Sequence, residues 1–290
     1  MNRLVAILVA IVAATVVAAG PSCRRQAAAV EEAARPRIVT FSPAITRMIF
    51  EMGLEKHVVG VTSQDRLPEG VRLPVLGDAF SVNAEAVVKA RPDVLLTNIN
   101  VEHFAAVRKL DPNIRIEHFR LETLDDVGAA TERIAAIAGR PEVGQAARRK
   151  FDEALEAVAN EVADKGRPKV LFITDFRTFG TAGRGTFIDE MIQRAGGANV
   201  AAKYSGWTTM TAEGILAAAP DVLICQVGSD AEAASAKAFF EGLKDLPAVK
   251  AGRVYVTSDR RWTIPCGELA GFTSDLAGMI HPPAAGECTQ

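Results

Sequence analysis

The stretch Ser81-Val-Asn-Ala-Glu-Ala-Val-Val-Lys-Ala-Arg-Pro-Asp-Val-Leu-Leu-Thr-Asn98 returns 128 residues later, without a gap, as Thr209-Met-Thr-Ala-Glu-Gly-Ile-Leu-Ala-Ala-Ala-Pro-Asp-Val-Leu-Ile-Cys-Gln226. Seven positions are identical, and most of the others keep their chemical class. Each copy predicts a capped helix followed by a strand that Pro-Asp opens. A supersecondary unit that occurs twice predicts one α/β lobe built twice. Two facing lobes form a cleft, which is a common place for a small ligand.

Strands and helices alternate on both sides of this repeat. Apolar and β-branched runs predict strands at 37–41, 57–61, 94–97, 114–118, 169–174, 222–225 and 253–257. Capped or periodic stretches between them predict helices, of which the last two cover 239–246 and 268–280. Chains that alternate in this way form mainly parallel sheets. The sequence therefore predicts an α/β fold with two Rossmann-like lobes and a ligand cleft between them.

One long helix is predicted between the two halves, from Pro141 to Lys165. Proline occupies its first turn and Gly166 follows its end, as is typical of helix boundaries. Phe151, Leu155, Val158 and Val162 form its apolar stripe. At about 1.5 Å per residue it would span roughly 35 Å. We therefore expect it to connect the two lobes rigidly and to limit hinge motion.

The N-terminus has the pattern of an export segment. Arg3 precedes an apolar run from Leu4 to Ala19, and sixteen residues suit a secretory signal better than a membrane span of about 20. Cleavage after Gly20 would release the protein, whereas lipidation of Cys23 would anchor it to the membrane surface, and both alternatives stay open. The predicted organisation is a signal peptide (1–22), a tether (23–36), an N-terminal lobe (37–140), an inter-lobe helix (141–166) and a C-terminal lobe (167–290).

Composition narrows the classes of partner. Hydrophobic residues make up 49% of the 290 residues and charged residues 23%, as in ordinary globular proteins, and the net charge of −2 argues against nucleic acid. We expect a monomer. Besides Cys23 the chain has Cys225, Cys266 and Cys288, whose spacing fits no zinc motif. In an exported protein Cys225 and Cys266 are candidates for a disulfide, and free thiols fit equally well.

Candidate ligand-binding residues lie in loops that follow strands, because open α/β sheets bind ligands at the carboxyl ends of their strands. Among the candidates, two tryptophans (Trp207 and Trp262) suit a flat macrocycle or a catecholate ring. Four arginines (Arg177, Arg184, Arg260 and Arg261) suit an anionic chelate. The candidates are Ser42, Pro43, Gln64, Asp78, Phe80, Asn98, Phe176, Arg177, Arg184, Trp207, Gln226, Arg260, Arg261 and Trp262.

An ordered set of segments resembles a known family. They are Arg37-Ile-Val-Thr-Phe-Ser-Pro-Ala, Val59-Gly-Val, Leu76-Gly-Asp78, both Pro-Asp-Val-Leu copies, Thr186-Phe-Ile-Asp-Glu-Met-Ile, Gly196-Gly-Ala-Asn-Val200, Ala248-Val-Lys-Ala-Gly-Arg-Val-Tyr255 and Ile264-Pro265. Together they span nearly all of the chain after residue 36. The chain resembles the substrate-binding proteins of vitamin B12 and ferric-siderophore ABC importers, the class with a helical backbone between two lobes.

The resemblance implies a function without a chemical step. The protein would capture a metal chelate, such as a ferric siderophore, or a corrinoid, such as cobalamin, and deliver it to a membrane permease. It implies no intrinsic cofactor and no metal ligands of the protein. Glu85 and Glu213 occupy matching places in the first turns of the two repeated helices, where a carboxylate is favoured. The resemblance gives these two glutamates the role of docking onto arginines of the permease.

A free-metal receptor and an enzyme are the alternatives to a chelate- or corrinoid-binding protein. A receptor for free zinc or manganese would need converging histidines and carboxylates, and His57, His103, His118 and His281 are scattered along the chain. An enzyme on the same two-lobed fold is the remoter alternative, because nucleophile-elbow, phosphate-loop and His-Glu-x-x-His motifs are absent from the sequence.

Overall fold

The computed structural model describes residues 35–78 and 80–283. The predicted signal peptide, the tether before Arg35, the lipidation site Cys23, and Cys288 lie outside the described residues. Within them, no helix combines the length and the apolar character that a membrane span requires.

The N-terminal lobe has a sheet in which all neighbouring strands are parallel, in the order β2-β1-β3-β4. Its strands and helices are β1 (Ile38–Phe41), α1 (Pro43–Glu51), β2 (Val58–Gly60), α2 (Ala84–Lys89), β3 (Val94–Thr97), α3 (Ala105–Leu110), β4 (Arg115–His118) and α4 (Leu124–Ile137). Side-chain caps begin α2 and α4 as predicted, since Asn83 accepts from the Ala86 amide and Thr123 forms a capping box with Asp126.

The C-terminal lobe has a mixed sheet in the order β10-β9-β5-β6-β8, with β7 paired to β5. Its elements are β5 (Lys169–Asp175), β6 (Gly180–Ala182), α6 (Phe187–Arg194), β7 (Ala198–Asn199), β8 (Trp207–Thr209), α7 (Ala212–Ala218), β9 (Val222–Gln226), α8 (Asp230–Gly242), α9 (Pro247–Lys250), β10 (Val254–Thr257) and α10 (Leu269–Ile280). Strands β5, β7, β9 and β10 pair in parallel, whereas β6 and β8 add an antiparallel edge. The predicted α/β fold of two mainly parallel lobes is therefore confirmed, with this antiparallel edge as an unpredicted addition.

The repeated Pro-Asp pair performs the same task in both lobes. Asp93 accepts a hydrogen bond from the Arg37 backbone amide at 2.7 Å, and Asp221 accepts one from the Lys169 amide at 2.8 Å. The backbone amides of the two aspartates donate back to the carbonyls of Arg37 and Lys169. Each aspartate thus fixes the start of its strand against the start of the neighbouring central strand, which explains why this pair recurs.

The long helix predicted between the two halves of the chain is present as α5 (Pro141–Glu161). It ends four residues before the predicted Lys165, because the chain turns at Val162 and the Val162 amide bonds to the carbonyls of Val158 and Asn160. At about 1.5 Å per residue its 21 residues span roughly 32 Å. The predicted apolar stripe is buried, since Phe151, Leu155, Val158 and Val162 are each at most 7% exposed.

One hydrophobic core extends through both lobes. It joins Ile38 and Leu96 of the first lobe to Phe172 and Ile224 of the second through the stripe of α5, and each lobe also has a smaller core of its own. Because the shared core is buried by both lobes, their relative position is fixed by packing as well as by the chain connection.

One helix start in the C-terminal lobe needs correction, and the cysteines follow the second of their two predicted alternatives. The helix expected at 239–246 is α8, which already begins at Asp230, because the Ser229 hydroxyl accepts from the Glu232 amide and caps it there. Cys225 and Cys266 are both buried as free thiols and form no disulfide. Cys225 lies in the lobe's own core and Cys266 in the shared core. Burial raises the pKa of the Cys225 thiol to about 12 and also raises that of Cys266, so both stay protonated.

Candidate ligand-binding cleft

A cleft of about 920 Å³ opens between the two lobes. Its size is at the upper end of the range for small-molecule sites. The N-terminal lobe contributes α1 and the loop after β2, and the C-terminal lobe contributes the loop after β10. The lining residues are Pro43, Thr46, Arg47, Phe50, Glu51, Ser63, Gln64, Asp65, Arg66, Leu67, Pro68, Ser258, Asp259, Arg260, Arg261, Thr263, Ile264 and Glu268.

Hydrogen bonds within the N-terminal lobe shape the wall at 63–68. Asp65 Oδ2 accepts from the Thr62 amide at 2.8 Å and from the Thr62 hydroxyl at 2.6 Å. The Ser63 amide donates to the carbonyl of Gly77 at 2.9 Å. Gly77 has φ 136°, which allows the tight turn that Asp78 closes by accepting from the amides of Phe80 and Ser81. The Leu76-Gly-Asp78 segment therefore supports the cleft wall.

The opposite wall is a short helical turn at Arg260–Thr263. Asp259 Oδ1 accepts from the Arg261 amide at 3.0 Å, and its other oxygen accepts from Arg261 Nη2 at 2.7 Å. The guanidinium of Arg261 holds the pKa of Asp259 below its ordinary value. This fully hydrogen-bonded carboxylate gives the C-terminal wall a fixed shape.

Polar contacts join the lobes where the cleft walls meet. Arg47 Nη2 donates to Glu268 Oε1 at 3.0 Å, and the Gly267 amide donates to Glu51 Oε2 at 2.9 Å. Burial raises the pKa of Glu51, whose side chain is 28% exposed. Atoms of Glu51, Cys266 and Glu268 that bind metals in other proteins lie within 4.8 Å of one another. Arg47 already compensates the charge of these carboxylates, which disfavours a cation there.

Four of the predicted ligand residues line the cleft: Pro43, Gln64, Arg260 and Arg261. Three others are core or scaffold residues. Ser42 is 1% exposed and caps α1, Gln226 is 6% exposed and donates to the Val227 carbonyl, and Trp262 is 5% exposed between Phe172 and Phe272. The prediction that Trp262 faces the cleft is corrected by this packing. Its indole extends the shared core beneath the C-terminal wall.

The second tryptophan bridges the lobes away from this cleft. Trp207 begins the edge strand β8, is 46% exposed, and donates from Nε1 to Glu122 Oε2 at 2.8 Å. Glu122 closely follows β4, the edge strand of the other sheet. The Leu124 amide donates to Glu190 Oε2 at 2.7 Å, which makes a second bridge between the lobes. The lobes therefore make polar contacts both beside the cleft and near the edge strands β4 and β8.

The remaining predicted ligand residues lie outside the lining of this cleft. Phe80 projects from its turn with 87% of its surface exposed, and Asp78 is used in closing that turn. Phe176 packs edge-on against Phe179, Phe239 and Phe240. Asn98, Arg177 and Arg184 are exposed, and Arg177 pairs with Glu232 at 2.9 Å.

The two predicted docking glutamates occupy equivalent exposed positions. Glu85 and Glu213 lie in the first turns of α2 and α7, which begin at the caps Asn83 and Thr211. The backbone amide of Glu213 and the Thr211 hydroxyl lower the pKa of Glu213. A negative charge is therefore displayed at the same place on each lobe.

Several lining residues were not predicted from the sequence, namely Arg47, Glu51, Arg66, Ser258 and Glu268. Arg47 and Glu51 are spaced as an i,i+4 pair on α1, which indicates a helix face but not the lobe that it meets. Glu268 pairs with a residue 221 positions away, a contact that local patterns do not reveal. Arg66 was detectable, because the sequence around it recurs near Arg260.

Comparison with known proteins agrees with this architecture. Residues 38–260 match the family described as periplasmic binding protein. An uncharacterized ABC transporter substrate-binding lipoprotein, YvrC of Bacillus subtilis, is 28% identical over 85% of this chain and 80% of its own length. A cobalamin-binding protein of Halobacterium salinarum is 28% identical over 84% of this chain and 69% of its own length.

The solved structures show the same fold. A periplasmic heme-binding protein from Pseudomonas aeruginosa superposes with a TM-score of 0.75 at 23% identity, covering 86% of this chain and 94% of its own. With the family matched over most of its length, two α/β lobes and a cleft between them, this chain belongs to the periplasmic binding protein family.

Proposed function

We propose that this chain is the exported substrate-binding component of an ABC importer and that its ligand is a corrinoid. The observation that carries the ligand class is the chemical character of the inter-lobe cleft. It is large, it is lined from both lobes, and its charges nearly balance. The name of the Halobacterium relative supports the corrinoid assignment, and the name of the Bacillus relative supports the importer role alone.

The charge balance favours a ligand that is close to neutral. Four arginines and four carboxylates line the cleft. Arg47 pairs with Glu268, and Arg261 pairs with Asp259, so two of the arginines are largely neutralised. A highly anionic ferric chelate would find only Arg66 and Arg260 available to balance its several charges, and it would also meet the carboxylates of the lining. A corrinoid, which carries many neutral amides and little net charge, avoids that repulsion.

The side chains of the cleft also favour a corrinoid over haem. Haem iron is held in proteins by histidine, tyrosine, cysteine or methionine. None of these residue types is among the lining residues in the described part of the chain. The cobalt of a cobalamin is already coordinated by its own macrocycle and axial groups, so its capture requires no ligand from the protein. Shape, amide hydrogen bonds and apolar contact are sufficient.

Delivery to a permease is proposed to use Glu85 and Glu213. Their matched positions, their exposure and the lowered pKa of Glu213 support the docking role that the family resemblance implies. The cleft and the two glutamates are separate features, so ligand capture and docking can be tested independently.

The direct test is equilibrium binding to the protein from residue 36 onward. Cyanocobalamin, haem, a ferric catecholate siderophore and Zn²⁺ are titrated in turn at one ionic strength, and the heat of binding is measured. We expect cyanocobalamin to bind at least about tenfold more tightly than the others, a difference of about 1.4 kcal/mol. Tighter binding of haem or of the siderophore would replace the corrinoid assignment, and tighter binding of Zn²⁺ would favour a free-metal receptor.

A further inference from the structure

Two loops in the cleft share the residue order Thr, Ser, Asp, Arg, which is unrelated to the long repeat and which Gln64 interrupts in the first loop. Thr62-Ser-Gln-Asp-Arg66 follows β2, and Thr257-Ser-Asp-Arg260 ends β10 and continues beyond it. Strands β2 and β10 are edge strands of their respective sheets. In both loops the serine, the aspartate and the arginine line the same cleft. Each lobe therefore presents a Thr-Ser-Asp-Arg loop to the ligand space.

The two loops also share one internal hydrogen bond, which the threonine hydroxyl accepts. Thr62 Oγ1 accepts from the amide two residues ahead at 3.3 Å, and Thr257 Oγ1 accepts from its equivalent at 3.1 Å. The aspartate bonds differ, since Asp65 accepts from the preceding Thr62 amide and Asp259 accepts from the following Arg261 amide. Threonine and aspartate are thus used to shape each loop. The arginine that follows the aspartate is the residue left to act outside the loop.

These arginines differ from the other two in the cleft. Among the residues that the structure describes, no carboxylate forms an ion pair with Arg66 or Arg260, although both guanidinium groups are exposed on the cleft walls. Arg47 and Arg261 are engaged by Glu268 and Asp259. One uncompensated positive charge therefore comes from each lobe.

We propose that Arg66 and Arg260 form a clamp that holds an oxyanion of the ligand from both lobes. This inference rests on the proposed corrinoid function, and it identifies the oxyanion as the phosphodiester of the nucleotide loop in a complete corrinoid. Guanidinium groups recognise phosphate through charge-assisted, paired hydrogen bonds. The rest of the cleft contacts a nearly neutral macrocycle, so the clamp distinguishes complete corrinoids from those without the nucleotide.

The test compares cyanocobalamin with dicyanocobinamide, which lacks the nucleotide and its phosphodiester. The ratio of their dissociation constants is measured for the wild type, Arg66→Gln and Arg260→Gln. We expect each substitution to reduce the preference for cyanocobalamin about tenfold, as is usual for loss of a charged hydrogen bond. Affinity for dicyanocobinamide should stay nearly unchanged. Raising the salt concentration should weaken the preference in the wild type more than in either variant.

Arg72→Gln is the matched control, because Arg72 is exposed in the same lobe but does not line the cleft. It should keep the wild-type ratio, and circular dichroism should show all variants folded. Corrinoid binding with a ratio that both cleft substitutions leave unchanged would overturn the clamp and leave the proposed function standing. Absence of any corrinoid binding by the wild type would overturn both.

Discussion

The two lobes are alike where they are built and differ where they face the ligand. Asp93 and Asp221 perform the same task at the starts of their strands, and the caps Asn83 and Thr211 begin equivalent helices. At the carboxyl ends of the strands the resemblance is limited to the Thr-Ser-Asp-Arg loops. The N-terminal wall is supported by the turn at Gly77, whereas the C-terminal wall is a short helical turn that buries its own Trp262.

This difference distinguishes the residues that build each lobe from the residues that determine which ligand it binds. Positions that repeat along the whole unit fix strand starts, helix starts and buried strand faces. Such positions are needed in any lobe of this kind, whatever it binds. The loops are free to vary, because strand ends leave them at the surface, and function is concentrated there.

The largest effect, on transport, is expected when the equivalent exposed glutamate is removed from both lobes. We predict that Glu85→Ala combined with Glu213→Ala abolishes uptake through the permease, because each lobe loses its exposed carboxylate. Ligand affinity should be unchanged, because neither residue lines the cleft. The measurement is substrate transport into vesicles that contain the permease, with binding measured separately.

The two single variants then show whether the lobes dock equally. A double substitution of the exposed Glu69 and Glu156 by alanine is the control, and it should transport normally. Equal partial losses in the single variants would show symmetric docking, and unequal losses would show that one lobe dominates. Normal transport by the double variant of Glu85 and Glu213 would contradict the docking role.

The second prediction concerns equivalent core positions. Leu95 of β3 and Leu223 of β9 are both 0% exposed, and each belongs to its own lobe's core. Alanine at either position should lower the free energy of unfolding by about 2–5 kcal/mol. The exposed Leu216 is the control, and its substitution by alanine should change stability by less than about 0.5 kcal/mol.

Urea unfolding can test whether the lobes unfold together. Both tryptophans, Trp207 and Trp262, are in the C-terminal lobe, so their fluorescence follows that lobe, whereas far-ultraviolet circular dichroism follows both. Because the shared core spans the lobes, Leu95→Ala should shift both signals equally. A fluorescence transition that stays at its wild-type position would instead show that the lobes unfold independently.

Local sequence patterns were sufficient for the repeated scaffold. The caps at Asn83, Thr123 and Thr211, and the apolar stripe of α5, are signals within a few residues of one another. They were therefore predictable, and with them the two-lobed fold. The first-turn positions of Glu85 and Glu213 were predictable in the same way, because the repeat places both in equivalent helix turns, whereas their proposed docking role comes from the family resemblance.

The antiparallel edge and most of the cleft were not predictable in this way. Strands β6 and β8 have three residues each, which is too short for an alternating pattern to be recognised. Trp262 is buried against Phe172, a residue 90 positions earlier, and Glu268 meets Arg47 of the other lobe. Such contacts depend on how the lobes pack, so local sequence does not distinguish a buried loop tryptophan such as Trp262 from one that contacts a ligand.

A smaller effect, on stability and ligand affinity, is expected from substituting Gly77, whose turn supports only the N-terminal wall of the cleft. A Cβ atom at Gly77 would collide with the carbonyl oxygen of Ser81, and φ at 136° is unfavourable for other residues. Gly77→Ala should cost about 1–3 kcal/mol of stability. It should also weaken corrinoid binding, because the Gly77 carbonyl holds Ser63 in the cleft wall.

Gly70→Ala is the control that separates backbone strain from the steric collision in the cleft wall. Gly70 also has a positive φ of 82°, but a Cβ atom there would meet nothing within 4 Å. It should therefore lose some stability through backbone strain and keep its ligand affinity. Equal affinity in both variants would show that the Gly77 turn does not shape the cleft.

The smallest effect concerns the contact that joins the lobes at Glu51. Burial raises the pKa of this carboxyl above its ordinary value, which means that ionisation weighs against the folded state. Its favourable contribution is complete below the unfolded pKa, near about 4.3, and is lost as the pH rises through the raised value. Glu51→Gln removes this titration and keeps an oxygen that can accept from the Gly267 amide.

We therefore expect Glu51→Gln to be more stable than the wild type at pH 7, because the wild-type carboxyl is then ionised against the cost of burial. Near pH 4 the two melting temperatures should converge, because wild-type Glu51 is then protonated as well. Glu69→Gln, which changes an exposed glutamate of the same lobe, should show no such pH-dependent difference. If Glu51→Gln instead loses stability at pH 7, the charge of Glu51 stabilises the lobe junction, and its attraction to Arg47 outweighs the cost of burial.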